Sequence, residues 1–304
     1  MKGVRFFAKV LLLDPYPIVF KLTAPWERGL GDDPPIRPLD EQIDVEWNTT
    51  AQLRALVGDS VPVPLGCSKA ARTIVWQDAQ AAWVIRTVKR SRWMDPKGSE
   101  GTAALFQAGA WLRRVHDTSS VGNETVNVSQ AVRAIRGAVE KARQTGSPYG
   151  NSVIRVLDEA VARTDGKLAA PKALGHGDFT LANLMWDQRA RRLFVIDYEN
   201  FAYRSICYDL LTMVFDIRLQ LLNPLVPQRA PVALETAFWD GYGPISDELR
   251  CFISTVASSQ IFCDFLPRMS ARRTRRGWLA GATTRVYKAL FEPAMVKRYW
   301  ASVR

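Results

Sequence analysis

Apolar and polar positions divide the chain into a β-rich beginning and a long helical remainder. Residues 4–13 (VRFFAKVLLL) and 18–22 (IVFKL) are rich in aliphatic and aromatic side chains. Asp14-Pro15-Tyr16-Pro17 between them is turn chemistry, so the pair predicts a hairpin that ends near Lys21. Residues 24–38 are rich in Gly, Pro and Asp and predict a loop. Ile43, Trp47, Leu53, Leu56 and Val57 then form a loose apolar face, which predicts a helix over 40–57. Val61-Pro62-Val63-Pro64 forces extended backbone, because a residue before proline is pushed out of the helical region. The runs Thr73–Trp76 and Trp83–Val88 predict two further strands.

Beyond the polar stretch 90–101 the period changes. Leu105, Ala108, Leu112 and Val115 predict a helix over 103–117. Val132, Ile135 and Val139 predict another over 127–144, and Val153, Val156, Leu157 and Val161 a third over 151–164. Two short apolar runs, Leu181–Trp186 and Leu193–Ile196, flank Asp187-Gln188-Arg189 and predict a hairpin over 184–198. A helix over about 206–222 follows, and 231–300 is mostly helical. The pattern therefore separates a small β-rich part, 1–89, from a larger helical part, 90–304.

Composition narrows the classes. With 47% hydrophobic and 23% charged residues the chain has the values of a globular protein. It contains no apolar run long enough for a membrane-spanning helix. Lys9 interrupts the apolar start, which favours a strand over a signal peptide. Cys67, Cys207, Cys251 and Cys263 are scattered without a C-x-x-C pair, as expected of a cytoplasmic protein with neither a zinc site nor a disulfide framework. Only His116 and His176 are present, so a metal here would take oxygen ligands. The formal charge is +11, and the segment from Arg268 to Arg304 holds ten Lys/Arg against the single acid Glu292. That stretch reads either as a solvated face or as a surface attracting an anionic acceptor or an anionic membrane. No nucleic-acid-binding motif accompanies it, so no specific nucleic acid is expected.

The candidate chemistry lies in LGHGDFTLANLMWDQRARRLFVIDYEN, residues 174–200. His176-Gly177-Asp178 is followed five residues later by Asn183, and the second apolar run ends on Asp197. Phosphoryl transfer needs an oriented acceptor hydroxyl and metal ions on the phosphates, and a D-x-x-x-x-N segment with a later aspartate on a strand end supplies those parts. Asp and Asn also occur in loops for turn reasons alone. The chain has no G-x-x-x-x-G-K-[ST] loop, and no two-metal cluster of carboxylates and histidines can be assembled.

With HGDFTLANLMW (176–186), VIDYE (195–199) and Asp209-Leu210, the chain resembles the aminoglycoside phosphotransferase and choline kinase-like families. The resemblance implies an α+β, bilobal protein-kinase-like fold, with a small antiparallel sheet lobe over 1–89 and a larger, mainly helical lobe over 90–304. It implies phosphorylation of a small-molecule hydroxyl, of sugar-like, amino-alcohol or aminoglycoside class, with ATP or another NTP and Mg²⁺. Asp178 would be the catalytic base, and Asn183 and Asp197 would hold the metal. Lys21 would meet the phosphates, Glu46 would hold Lys21, and Thr87, Val88 and Lys89 would form the hinge against the base. Glu41 and Asp44 are alternatives to Glu46, Asp209 would brace the catalytic loop, and Glu199 is either a second acid near the metal or an ordinary structural one. The competing readings are a nucleotide-binding pseudoenzyme and a basic protein that binds nucleic acid or a membrane surface.

Overall fold

The computed structural model describes residues 7–10, 18–22, 39–71, 73–91, 99–144, 150–219 and 229–271. The basic run Arg272–Arg276 and the rest of the chain after it lie outside the described residues. Among the described residues no helix is long and apolar enough to cross a membrane.

The first hairpin forms as its pattern predicts. Strands β1 (Phe7–Val10) and β2 (Ile18–Leu22) pair antiparallel, with Phe7 opposite Lys21. β2 pairs in turn with β4 (Thr73–Gln77), which pairs with β3 (Pro64–Ser68), giving a four-stranded sheet in the order β1-β2-β4-β3. Helix α1 (Leu39–Val57) packs on this sheet through Ile43, which meets Ile74 and Trp76 in a small separate core. Its last turns do something else. Leu53 and Val57 join the main core of the large lobe, so one helix is buried at both ends against different lobes.

The run Trp83–Val88 departs from its expected strand. Only β5 (Ala82–Trp83) is extended, and helix α2 occupies Val84–Ser91. Val84, Val88 and Ser91 are buried while Arg86, Lys89 and Arg90 are exposed. Spacing of four and three residues puts the buried set on one helix face, and this packing outweighs the strand preference of the β-branched residues. Val84 and Val88 belong to the same core as the helices that follow.

Those helices are α3 (Glu100–Thr118), α4 (Val128–Gln144), α5 (Gly150–Arg163), α6 (Cys207–Leu219), α7 (Arg229–Tyr242) and α8 (Asp247–Ala271). The Ser99 hydroxyl caps α3 by accepting the Thr102 amide at 3.2 Å. Helices α3 and α7 cross with backbones nearly touching. A Cβ on Gly109 would fall 2.1 Å from the Phe238 carbonyl oxygen, and one on Gly241 2.0 Å from that of Phe106. Arg218 of α6 lies buried and forks onto Glu235 of α7 at 2.7 and 2.8 Å. Its remaining donors reach Ser254 and Ser258 of α8, so this buried charge is fully bonded.

Two small sheets complete the large lobe. The predicted hairpin forms as β8 (Leu184–Asp187) and β9 (Arg192–Val195), with β5 paired on the outer side of β8. The other sheet was not anticipated. β6 (Asn123–Asn127), β7 (Lys167–Gly175) and β10 (Ala202–Ser205) pair in the order β10-β7-β6. Strand β7 leads directly into His176.

Candidate active site

The segment 176–183 is held from beneath by buried groups. Asp209, in the first turn of α6, accepts the His176 amide at 2.7 Å and the Gly177 amide at 2.8 Å. His116, at the end of α3, lies 3.4 Å from the same carboxylate through Nε2, and its Nδ1 is 2.9 Å from the Tyr242 hydroxyl. Burial alone would raise the Asp209 carboxyl. The His116 bond, the nearby His116 and His176 rings and the Gly177 amide reverse this and hold it below the usual carboxylate range. Asp209 thus braces the backbone as the sequence implied. The part of His116 in that brace was missed, because the contact spans 93 residues.

His176 is wholly buried among Phe179, Tyr198 and Phe201. Desolvation lowers its pKa, against the raising influence of Asp209, Asp197 and Asp178. As a neutral ring it donates from Nε2 to the Ile196 carbonyl at 3.0 Å and accepts the Asp178 amide on Nδ1 at 3.3 Å. It therefore ties the start of the loop to the strand end that carries Asp197. Gly177 has φ +80°, and a Cβ there would lie 2.7 Å from the Asn200 carbonyl oxygen. Only glycine fits that position without strain.

The Asn183 side-chain amide donates to the Asp178 carbonyl at 2.8 Å and to its carboxylate at 2.9 Å. Asn183 also accepts the Ile196 amide on its backbone carbonyl at 3.0 Å, one residue before Asp197. Asp197 itself is buried with φ +71°, a left-handed conformation that aspartate tolerates better than most residues. Glu46 of α1 and Glu199 bring carboxylate oxygens within 4.8 Å of one another and of Asp197. Glu46 is 2% exposed, whereas Glu41 is exposed and Asp44 pairs with Lys69 at 2.6 Å, so Glu46 is the acid of α1 that reaches this site. Asp197, Glu46 and Glu199 offer only hard oxygen donors, which suit Mg²⁺ and not a soft or imidazole-seeking metal.

Beside these acids lies a cavity of about 460 Å³ between the lobes. Trp76, Trp83, Met185 and Ile196 give it apolar walls, and Glu46 and Asp197 line one end. Residues Gln77, Asp78, Ala79, Ala81 and Ala82 form its connecting edge. Thr87, Val88 and Lys89 line none of it: they lie within α2, where Val88 is fully buried and Lys89 faces outward. They stand on a helix and not at a strand end as expected, and amides within a helix are already bonded. Lys21 is described only as backbone, on β2 opposite Ile74 of β4, and its expected contacts lie outside the described residues.

A family model described as a phosphotransferase enzyme family, APH, matches residues 28–251. No curated protein sequence matches the chain. Among solved structures, a glucosamine kinase is similar at TM-score 0.54 and 16% identity, covering 83% of this chain and 70% of its own. The GDP and kanamycin complex of APH(2")-IIia is similar at TM-score 0.54 and 11% identity, over 90% and 89% of the two chains. A choline/ethanolamine kinase family protein from Mesorhizobium loti is similar at TM-score 0.50 and 14% identity, over 98% and 92%. At these identities the likeness is one of fold, the α+β kinase-like arrangement of two lobes.

Proposed function

Because the chain belongs to the phosphotransferase enzyme family, we propose that it phosphorylates a hydroxyl of a small molecule with ATP or another NTP and Mg²⁺. The observation that carries this reading is the bond from Asn183 to the Asp178 carboxylate, together with an Asp197 that lines the interlobe cavity. Asp178 would accept the proton of the acceptor hydroxyl as that oxygen attacks the terminal phosphorus, whose bond to the bridging oxygen breaks to release the nucleoside diphosphate. Asn183 keeps the Asp178 carboxylate in one orientation, which spares the transition state that ordering cost. Asp197 and the Asn183 carbonyl oxygen would hold the metal, with Glu199 or Glu46 beside them. The bound metal would supply charge neutralisation on the phosphates. Lys21 is retained as the phosphate-contacting residue, paired with Glu46.

The nucleoside would take the 460 Å³ cavity, whose lining includes Trp83, Met185 and the edge 77–82. The crossover between lobes then lies in that edge, and α2 belongs with the large lobe. The neighbouring structures name a glucosamine kinase and a kanamycin complex, which supports a polyhydroxylated acceptor class. The test is a panel of sugar, amino-alcohol and aminoglycoside acceptors with ATP and GTP, read by phosphorylated product. One acceptor class should give Mg²⁺-dependent product that Asp178→Asn abolishes. Equal turnover by the wild-type protein and Asp178→Asn would overturn the assignment.

A further inference from the structure

Helix α6 reaches the catalytic segment at a second place, which the family motif does not include. The turn Leu181–Asn183 is a short 3-10 helix, and its N-cap residue Thr180 makes no side-chain cap bond. The first amide of such a turn has no partner inside it. Here Leu181 N–H donates to the Asp216 carboxylate at 2.8 Å, from 35 residues further along the chain. Asp216 thus does from another element what an N-cap side chain does locally, and its negative charge suits the turn's N-terminal end.

Asp209 and Asp216 are seven residues apart on α6, two helical turns, and so share one face. One takes the amides of His176 and Gly177, the other the amide of Leu181. Asp178 lies between these two fixed points. Asn183 closes the turn that begins at Leu181, its amide donating to the Thr180 carbonyl at 3.0 Å. The Leu181 side chain is fully buried beneath, and Met213, Val214 and Ile217 bury the same helix in the core. The frame that carries the clamp is therefore rigid, and displacement of Leu181 would move Asn183 relative to Asp178 and Asp197.

We infer that Asp216 is a positioning residue for the proposed phosphotransfer: through the Leu181 amide it sets the turn that presents Asn183 to Asp178 and to the metal. The inference rests on the phosphotransferase reading for its consequence, though not for the clamp itself. Asp216→Ala removes the acceptor, and Asp216→Asn keeps an oxygen that can accept the same amide without the charge.

The experiment has two arms on the wild-type protein and both variants. Hydrogen exchange of the 178–186 segment is measured without ligand, and Mg²⁺ is titrated against ATP binding by calorimetry. Asp216→Ala should accelerate exchange at 181–183 while leaving the α6 and α3 amides protected. It should weaken the Mg²⁺ dependence of ATP binding by about 10–100-fold, the usual effect of removing a group that orients a metal ligand. Metal-free ATP affinity should stay unchanged, and Asp216→Asn should recover most of both losses. Unchanged exchange in Asp216→Ala overturns the clamp, and unchanged Mg²⁺ dependence of ATP binding overturns the positioning role. Asp216→Asn matching Asp216→Ala in both arms also overturns it; if the alanine protein fails to fold, a loss of about tenfold or more in Asp216→Asn against the wild-type protein overturns it. Should the wild-type protein bind ATP without any Mg²⁺ dependence, the phosphotransferase reading fails, while the exchange arm still reports on Asp216.

Discussion

The Asn183 side-chain amide donates to both the backbone carbonyl and the carboxylate of Asp178, at 2.8 and 2.9 Å. Six residues of chain close on themselves this way, so the proposed base and the proposed metal ligand form one unit. Their effects on turnover should therefore be coupled and not additive.

Asp178→Asn should lower turnover by about 10²–10⁴-fold, the typical worth of a positioned general base. Nucleotide affinity should hardly change, because the lost interaction belongs to the transition state. Steady-state kinetics beside calorimetric nucleotide binding separates the two. A parallel loss of nucleotide affinity would place Asp178 in binding instead.

Asn183→Ala should lower turnover and also weaken activation by Mg²⁺, by about 10–100-fold in apparent metal affinity. In the double variant with Asp178→Asn the two losses should fall short of their sum, since both act on the same contact. A double-mutant cycle measures this, and full additivity would show that the bond carries no functional coupling.

Lys89→Ala should leave the nucleotide KM unchanged, since Lys89 faces outward on α2 away from the cavity. Trp83→Ala should raise the nucleotide Kd by up to about tenfold, through loss of aromatic contact in the cavity wall. If the two variants behave in the reverse order, the base lies along α2 and the edge at 77–82 is not the hinge.

Asp209 gives a pH-dependent contribution to stability. Its folded pKa is depressed below that of the unfolded chain, about 3.9. A depressed carboxylate stabilises the fold above the unfolded pKa, and that contribution is lost as pH falls through the folded value. Urea titrations from pH 7 to pH 2 should therefore show a loss of stability beginning near pH 4. The part of this loss due to Asp209 should be absent in Asp209→Asn. That variant should already be less stable at pH 7, by about 1.5–3 kcal/mol for weakened bonds to a charged acceptor.

Gly109→Ala should destabilise the protein by about 1–3 kcal/mol, because a Cβ at that point overlaps the Phe238 carbonyl oxygen and forces α3 and α7 apart. Thermal unfolding is sufficient to detect it. Gly137, where a Cβ would meet nothing within 4 Å, is the control: Gly137→Ala in α4 should be neutral or stabilising.

What the sequence by itself determined was local. The spacing of Asp178 and Asn183 is a matter of six consecutive residues, and the hairpin after it shows as two apolar runs around a polar turn. Helices α1 and α3 to α5 were legible because each buries one face at a 3.6-residue period, and Glu46 was among the acids that α1 could present. The tertiary structure decided everything that depends on partners far along the chain. Strands β6 and β7, with Asn, Glu, Lys, Ala and Pro among their residues, exist through pairing with each other and with β10, so no local propensity announces them. Val84–Ser91 is a helix because a core built by other segments accepts Val84 and Val88 on one face, while its short β-branched run alone is ambiguous. His116 meets Asp209 across 93 residues, and Asp216 meets Leu181 across 35. A side chain's chemistry is written at its own position, but which backbone amide it will satisfy depends on where packing brings two distant segments together.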